Sequence, residues 1–300
     1  MSGNGPQIGR GRDPWFVRYS LVGLTVLIVG ALIALPVASV FAQALAGGPG
    51  QYVRNLFADP DTRHAVFLTL AVAPVAVAMN VVFGVAAAYT VARFRFPGRA
   101  VFVALIDLPF SVSPVVAGLA LILVFGLNAP AGEWLKRHGY QVMFAAPGLV
   151  LATAFVTVPL VARELIPVLE AVGPEEEIAA RSLGASGWQM FWRVTVPNIR
   201  WGLVYGVVLC AARAAGEFGA VAVVSGRVGG RTDTAPLRVE KLLQEYNQPA
   251  AFALASVLTL AALVTLGVKV AVEERLRADL ARPAEVAEVS ANDPVPEGRV

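Results

Sequence analysis

Six long apolar stretches alternate with shorter polar segments along this 300-residue chain, at about 16–42, 64–92, 100–126, 142–163, 199–224 and 250–272. Each reaches the roughly twenty residues that carry an α-helix across a bilayer. The pattern predicts an all-α, polytopic membrane protein with about six transmembrane helices. The connector between the second and third stretches holds Arg93, Arg95 and Arg99 within a few residues, which places it in the cytoplasm by the positive-inside rule. Alternation then puts 47–63, 127–141 and 225–248 outside and both termini in the cytoplasm. The asymmetry is mild, because Arg54, Arg63, Lys136, Arg137, Arg227, Arg231, Arg238 and Lys241 fall in the loops assigned outside.

The first stretch has Arg10, Arg12 and Arg18 ahead of it and Ala42-Gln43-Ala44 behind it, which imitates a secretory signal and its cleavage site. Its apolar run is longer than a signal core and reads as a retained anchor. Residues 1–14 are Gly-rich and expected to form a flexible cytoplasmic tail, 15–275 the membrane domain, and 276–300, charged and then rich in Pro and acidic residues, a disordered cytoplasmic tail.

Composition narrows the class. With 57% hydrophobic and 15% charged residues and a mean hydropathy of +0.66, the chain is too apolar for a soluble globular protein and belongs in a lipid bilayer. A net charge of +3, scattered around the membrane ends, gives no ground for a nucleic-acid partner. The single cysteine, Cys210, excludes an intrachain disulfide and a Cys-based metal site. His64 and His138 lie far apart and border predicted spans, so they read as interfacial polar residues, and no metal site is expected. The chain lacks a phosphate-binding G-x-x-x-x-G-K-[ST] loop, an H-E-x-x-H motif and a G-x-S-x-G motif. No catalytic residue and no cofactor of its own are therefore expected.

Polar residues interrupt two spans. The third contains Asp107-Leu108-Pro109-Phe110-Ser111-Val112-Ser113-Pro114, whose two prolines remove backbone donors and should bend or break the helix. The fifth contains Arg213 and Glu217, spaced to pair on one helix face among Ala and Gly that admit a close neighbour. Counted at about 1.5 Å per residue, Asp107 lies about 12 Å into its span, and Ser111, Ser113 and Arg213 about 18–20 Å. A polar translocation pathway built from Asp107, Ser111, Ser113, Arg213 and Glu217 is one reading. A structural ion pair of Arg213 with Glu217 that fixes helix packing is the other, and it is favoured because a paired arginine has less charge to offer a substrate. An intramembrane enzyme would have only Asp107, Arg213 and Glu217 to work with, and a proton-coupled secondary transporter would rely on Asp107 and Glu217.

Between the fourth and fifth spans lies a polar, amphipathic island, Glu170 to Arg200. Pro174 opens a helix, Glu175, Glu176 and Glu177 suit its positive end, and Gly184 ends it. Ser186 caps a second helix, which Pro197 is expected to stop. Ile178, Ser182 and Leu183 share a face of the first helix, and Trp188, Phe191 and Trp192 a face of the second. On shape alone such a hairpin reads equally as a docking surface or as a loop packed on its own bundle.

The island resembles the so-called EAA loop of permease subunits of binding-protein-dependent ABC importers. That pattern runs Glu-Ala-Ala, three residues, Gly, nine residues, Ile-x-Leu-Pro; here Ala179, Ala180, Gly184 and Val194-Thr195-Val196-Pro197 occupy it. Ile178 stands at the family's Glu position, with Glu177 one place earlier. From about Thr69 to Val272 the chain is similar to the sulfate and molybdate branch, through Ile106–Gly118, Phe155-Val156-Thr157-Val158-Pro159 and Arg213-Ala214-Ala215-Gly216-Glu217-Phe218-Gly219, and within it to W-type subunits of the bacterial sulfate/thiosulfate permease. The resemblance implies a type I importer fold in the bacterial inner membrane. It implies assembly with a T-type permease, two copies of a cytoplasmic ATPase that carries ATP and Mg, and an external sulfate-binding protein. It implies import of sulfate or thiosulfate by alternating access, or of molybdate or tungstate within the same fold. The island becomes a coupling helix pair, with Glu177, Ile178, Ala179, Ala180, Leu183, Gly184, Trp188 and Phe191 as the ATPase-docking residues. Because an acid is missing at position 178, packing by Ile178, Leu183, Trp188 and Phe191 is expected to be the main grip.

Overall fold

The computed structural model describes the backbone of residues 15–292 and the side chains of residues 15–277. The described residues form helices and no strand: α1 Trp15–Leu45, α2 Pro49–Phe57, α3 Pro60–Arg93, α4 Arg99–Ser111, α5 Pro114–Phe125, α6 Pro130–Arg137, α7 Ala146–Val172, α8 Glu175–Ser182, α9 Gly187–Met190, α10 Val196–Ala215, α11 Gly219–Val224, α12 Ala235–Gln244 and α13 Gln248–Asn292. Proline opens α2, α3, α5 and α6, where its missing N–H is not needed by the first helical turn. The Asp59 carboxylate caps α3 by accepting the N–H groups of Asp61 and Thr62 at 3.1 and 3.2 Å. Burial alone would raise its pKa, but hydrogen bonds from Thr62, Arg238 and the Asp61 N–H outweigh it and hold the carboxyl below its ordinary value.

Among the described residues, five helices are long and apolar enough to cross a membrane, and α4 with α5 makes a sixth span bent by 109°. The bend lies at Val112–Ser113, between the two prolines that the sequence marked. The ends of three predicted spans move. The fourth continues past Arg163 to Val172, because Asp107 of α4 lies 2.8 Å from Arg163 and lets that charge remain inside the helix. The fifth stops at Ala215 and resumes at Gly219 as α11, which packs beside α5. The sixth extends as helix to Asn292, through most of the segment expected to be disordered. The expected tail 1–14 and residues 293–300 lie outside the described residues.

The centre of the bundle is α3, α7 and α10, and small residues set their spacing. A Cβ placed on Gly84 of α3 would lie 2.7 Å from the Val161 Cβ of α7, and one on Gly202 of α10 would lie 2.9 Å from Val168. Lipid tails are as apolar as leucine, so helices in a membrane gain little from hiding apolar surface and depend on close contact and on hydrogen bonds. One such bond set ties all three. Buried Asn80 of α3 donates to the Ala154 carbonyl at 3.1 Å and to Thr157 Oγ1 at 2.7 Å, and its amide lies 3.6 Å from Cys210 Sγ on α10. At the edge, α1 touches α13 and α2 and otherwise turns its side chains outward.

Gly84→Ala is expected to lower the thermal stability of the detergent-purified protein by about 1–3 kcal/mol, since the new methyl meets the Val161 side chain and the Ala162 backbone nitrogen. Gly267→Ala, with nothing within 4 Å, is the matched control and should not lower the melting temperature, since alanine is the better helix former.

Candidate functional site

The polar island folds as the spacing predicts through its turn and second cap, but Pro197 does not stop the second helix: it stands in the first turn of α10, where its missing N–H is not needed. Helix α8 ends in a paired turn in which the N–H of Ala185 reaches the Ala180 carbonyl at 3.0 Å and that of Gly184 reaches Arg181 at 2.9 Å. This six-to-one and five-to-two pattern needs a left-handed residue, and Gly184 supplies it at φ 87°. Ser186 and Gln189 then cap α9 reciprocally, side chain to backbone, at 3.3 and 3.0 Å. A π-helical turn, Phe191–Thr195, joins α9 to α10, so the second arm of the hairpin and a membrane span are one continuous rod.

What fastens the hairpin to the bundle is a buried ion pair. Arg93, at the end of α3, donates from Nε and Nη2 to the two Glu177 oxygens at 3.0 and 3.2 Å. It directs further N–H groups to the carbonyls of Leu169 and Gly173 at 2.8 and 2.7 Å. Thr195 Oγ1 donates to Glu177 Oε1 at 2.9 Å, which ties the end of the π-turn to the same carboxylate. Three elements thus meet on Glu177. Around this clamp, Asn198 donates to Glu176 at 2.6 Å and Arg99 pairs with Glu170 at 2.7 Å.

The remaining residues of the hairpin separate into two groups. Ile178, Leu183 and Gly184 form an exposed tip, Leu183 being 89% exposed, with Ala179 exposed beside them and Ala180 partly covered. Trp188, Phe191 and Trp192 turn toward α3, where Phe191 meets Tyr89 edge-on at 6.2 Å. Together with Val81, Val85 and Leu203 they line an apolar groove of about 540 Å³. Glu177 points inward and the tip points away, so the eight residues expected to dock do not share one surface.

The charges inside the bundle also pair differently from a single mid-membrane cluster. Asp107 meets Arg163 of α7 at 2.8 Å, and the Arg163 guanidinium lies 5.4 Å from the Phe110 ring. Arg213 meets Glu217 at 3.1 Å. The second pair sits beside the break in the third span, since a Cβ on Gly219 would come 2.8 Å from Pro114 Cβ and 3.8 Å from a Glu217 oxygen. Ser111 and Ser113 are exposed at that break. Arg93 and Arg163 were not singled out from sequence. In the sequence Arg93 marks topology and Arg163 falls at the expected end of the fourth span, 142–163; only the fold supplies their partners, 84 and 56 residues away (177 − 93 and 163 − 107). Among the described residues no group of His, Cys, Asp and Glu is arranged to hold a metal ion.

These features match known transport proteins. The chain is 51% identical over 262 residues to the sulfate transport system permease protein CysW of Escherichia coli K12, covering 87% of this chain and 88% of that protein. It is 48% identical over 279 residues to the chloroplastic sulfate permease 2 of Chlamydomonas reinhardtii (93% and 75% covered). It is 40% identical over 245 residues to the sulfate transport system permease protein CysT of E. coli K12 (82% and 88%). Among solved structures, a bacterial ABC transporter involved in import of the acidic polysaccharide alginate superposes with a TM-score of 0.67 at 18% identity, covering 88% of this chain and 96% of that one. That likeness shows the fold of an ABC importer permease. The family model for the inner membrane component of binding-protein-dependent transport systems matches residues 80–278. Fold, hairpin and sequence agree: the chain belongs to the binding-protein-dependent transport system inner membrane component family.

Proposed function

We propose that this chain is the W-type permease subunit of an ATP-driven importer of sulfate or thiosulfate, moving the anion through the membrane by alternating access. What carries the reading is likeness to sulfate permeases along 87% of the chain. The relatives reported above carry sulfate in their names, which favours it over molybdate. The partners are a T-type permease, two copies of a cytoplasmic ATPase that binds and hydrolyses ATP with Mg, and an external sulfate-binding protein. The hairpin and both termini face the cytoplasm.

In this reading the residues of the chain transmit and gate rather than catalyse. The exposed tip at Ile178, Leu183 and Gly184 seats on the ATPase. Displacement of the tip passes through α8 to Glu177, and from Glu177 to α3 by way of Arg93 and to α10 by way of Thr195. A buried carboxylate with fixed partners transmits force because leaving any of them is costly. Helices α3 and α10 then tilt together, and the broken spans beside them open to one side of the membrane or the other.

Reconstituted with its partners in proteoliposomes, the chain is expected to import radiolabelled sulfate only with ATP and with the ATPase present; uptake that persists without the ATPase and collapses with the proton gradient would overturn the reading. Gly184→Val should leave the spans inserted while ATP hydrolysis continues with little uptake, because a β-branched residue resists the left-handed turn. Arg93→Ala leaves Glu177 buried without its countercharge, an expected cost of about 3–5 kcal/mol, and should speed hydrogen exchange across the hairpin while α3 and α7 remain protected.

A further inference from the structure

Arginines in the bundle are of two kinds. Arg93 is structural: its side chain is 9% exposed and its N–H groups end on a carboxylate and two carbonyls. Arg163 and Arg213 differ in both respects. Their side chains are 56% and 45% exposed. Each lies within 3.1 Å of a carboxylate oxygen, Asp107 Oδ1 or Glu217 Oε2, yet neither oxygen receives an aligned hydrogen bond among the described residues. The charges are balanced while, among the described residues, the guanidinium N–H groups make no aligned hydrogen bond to those two oxygens. A half-exposed guanidinium inside a span does not face lipid; it faces a polar cavity or a neighbouring subunit.

Their positions follow from the helix contacts. Thr157 of α7 and Cys210 of α10 lie side by side, Sγ to carbonyl 4.0 Å. Arg163 is six residues nearer the hairpin than Thr157 (163 − 157), and Arg213 three residues farther from it than Cys210 (213 − 210). At about 1.5 Å per residue the two arginines stand about 13 Å apart along the bundle. Both flank the same broken span, Arg163 against Asp107 and Phe110 of α4, and Arg213 with Glu217 beside Pro114 of α5. Between them the side chains of Ser111 and Ser113 are exposed and make no hydrogen bond among the described residues.

We propose that Arg163 and Arg213 are two successive stations for a tetrahedral oxyanion, with the Ser111 and Ser113 hydroxyls between them. The inference rests on the permease reading above and extends it to named binding groups, of which Arg163 is the inner one. A guanidinium fork presents parallel N–H donors that match two oxygens of such an anion, which an ammonium does not. Asp107 and Glu217 tether the guanidinium groups and keep the net charge near zero, so that the anion is held weakly enough to leave each station. The Phe110 ring lies 5.4 Å from the Arg163 guanidinium carbon, and Asp107 approaches its Nε, while the side chain remains 56% exposed.

The test uses the complete importer in proteoliposomes, with sulfate uptake and binding-protein-stimulated ATP hydrolysis measured on the same preparations. Arg163→Gln, the pair-neutral Arg163→Gln with Asp107→Asn, and Arg213→Gln with Glu217→Gln are each expected to lower uptake by about tenfold or more. ATP hydrolysis should stay at the wild-type level, and Arg163→Lys should retain part of the uptake. Wild-type uptake in either pair-neutral variant would overturn the proposal, since that is what a purely structural ion pair predicts. A parallel fall of hydrolysis and uptake would overturn it too, by assigning the pairs to coupling. A wild-type importer that carries molybdate and not sulfate refutes the sulfate reading alone, and the stations are then judged by the same criteria on molybdate uptake in the same variants.

Discussion

Withdrawing a guanidinium and a carboxylate from water together is costly unless their donors and acceptors find partners, and in the Arg93–Glu177 pair the guanidinium makes four hydrogen bonds and both carboxylate oxygens accept. Its geometry depends on the Gly173 and Leu169 carbonyls at the end of α7, on the Thr195 hydroxyl, and on the last turn of α3. Four segments therefore have to arrive at one place for the charges to be tolerated there. Once they do, the hairpin becomes an extension of the bundle rather than a loop tethered to it. The same constraint explains why Glu177 is turned away from the surface that the tip offers.

The bundle beneath obeys the rule that governs helices in lipid. Apolar burial between spans yields little, so contact distance and polar satisfaction decide the packing. Gly84, Gly202 and Gly206 let α7 lie close against α3 and α10, while Asn80 and Thr157 add a polar knot where the three helices meet. The broken spans are set apart from this tight centre. Helices α5 and α11 pack on each other, with Gly118 against Ala220; the chain bends by 109° just before α5, and the helix is interrupted at 216–218 before α11. Rigid centre and interrupted flank together give a body that transmits force on one side and a surface that can change shape on the other.

Much of this was legible in the chain because the signals are local. Runs of apolar residues mark the spans, Pro109 and Pro114 mark the break, and the interval from Gly184 to Pro197 marks the hairpin with its turn and cap. Pairing was not legible. Glu177 reads from the sequence as part of the docking surface, whereas it pairs inward with Arg93, 84 positions away (177 − 93). Arg163 looked like the end of a span because an unpartnered charge would be one; its partner Asp107 belongs to another helix. Likewise the aromatic face of the hairpin was visible as periodicity, but not which side of the rod it would occupy. That depends on the π-turn, which no short motif announces.

The turn at Phe191–Thr195 has a mechanical meaning of its own. A π-turn holds one residue more than an α-turn, so the helix on one side of it is rotated by about 100° relative to uninterrupted pairing. Here that offset turns Trp188, Phe191 and Trp192 toward α3 while Leu183 and Gly184 look away from the bundle. In the importer proposed above, that reset pairing gives the rod a joint about which a displaced tip can turn as well as push.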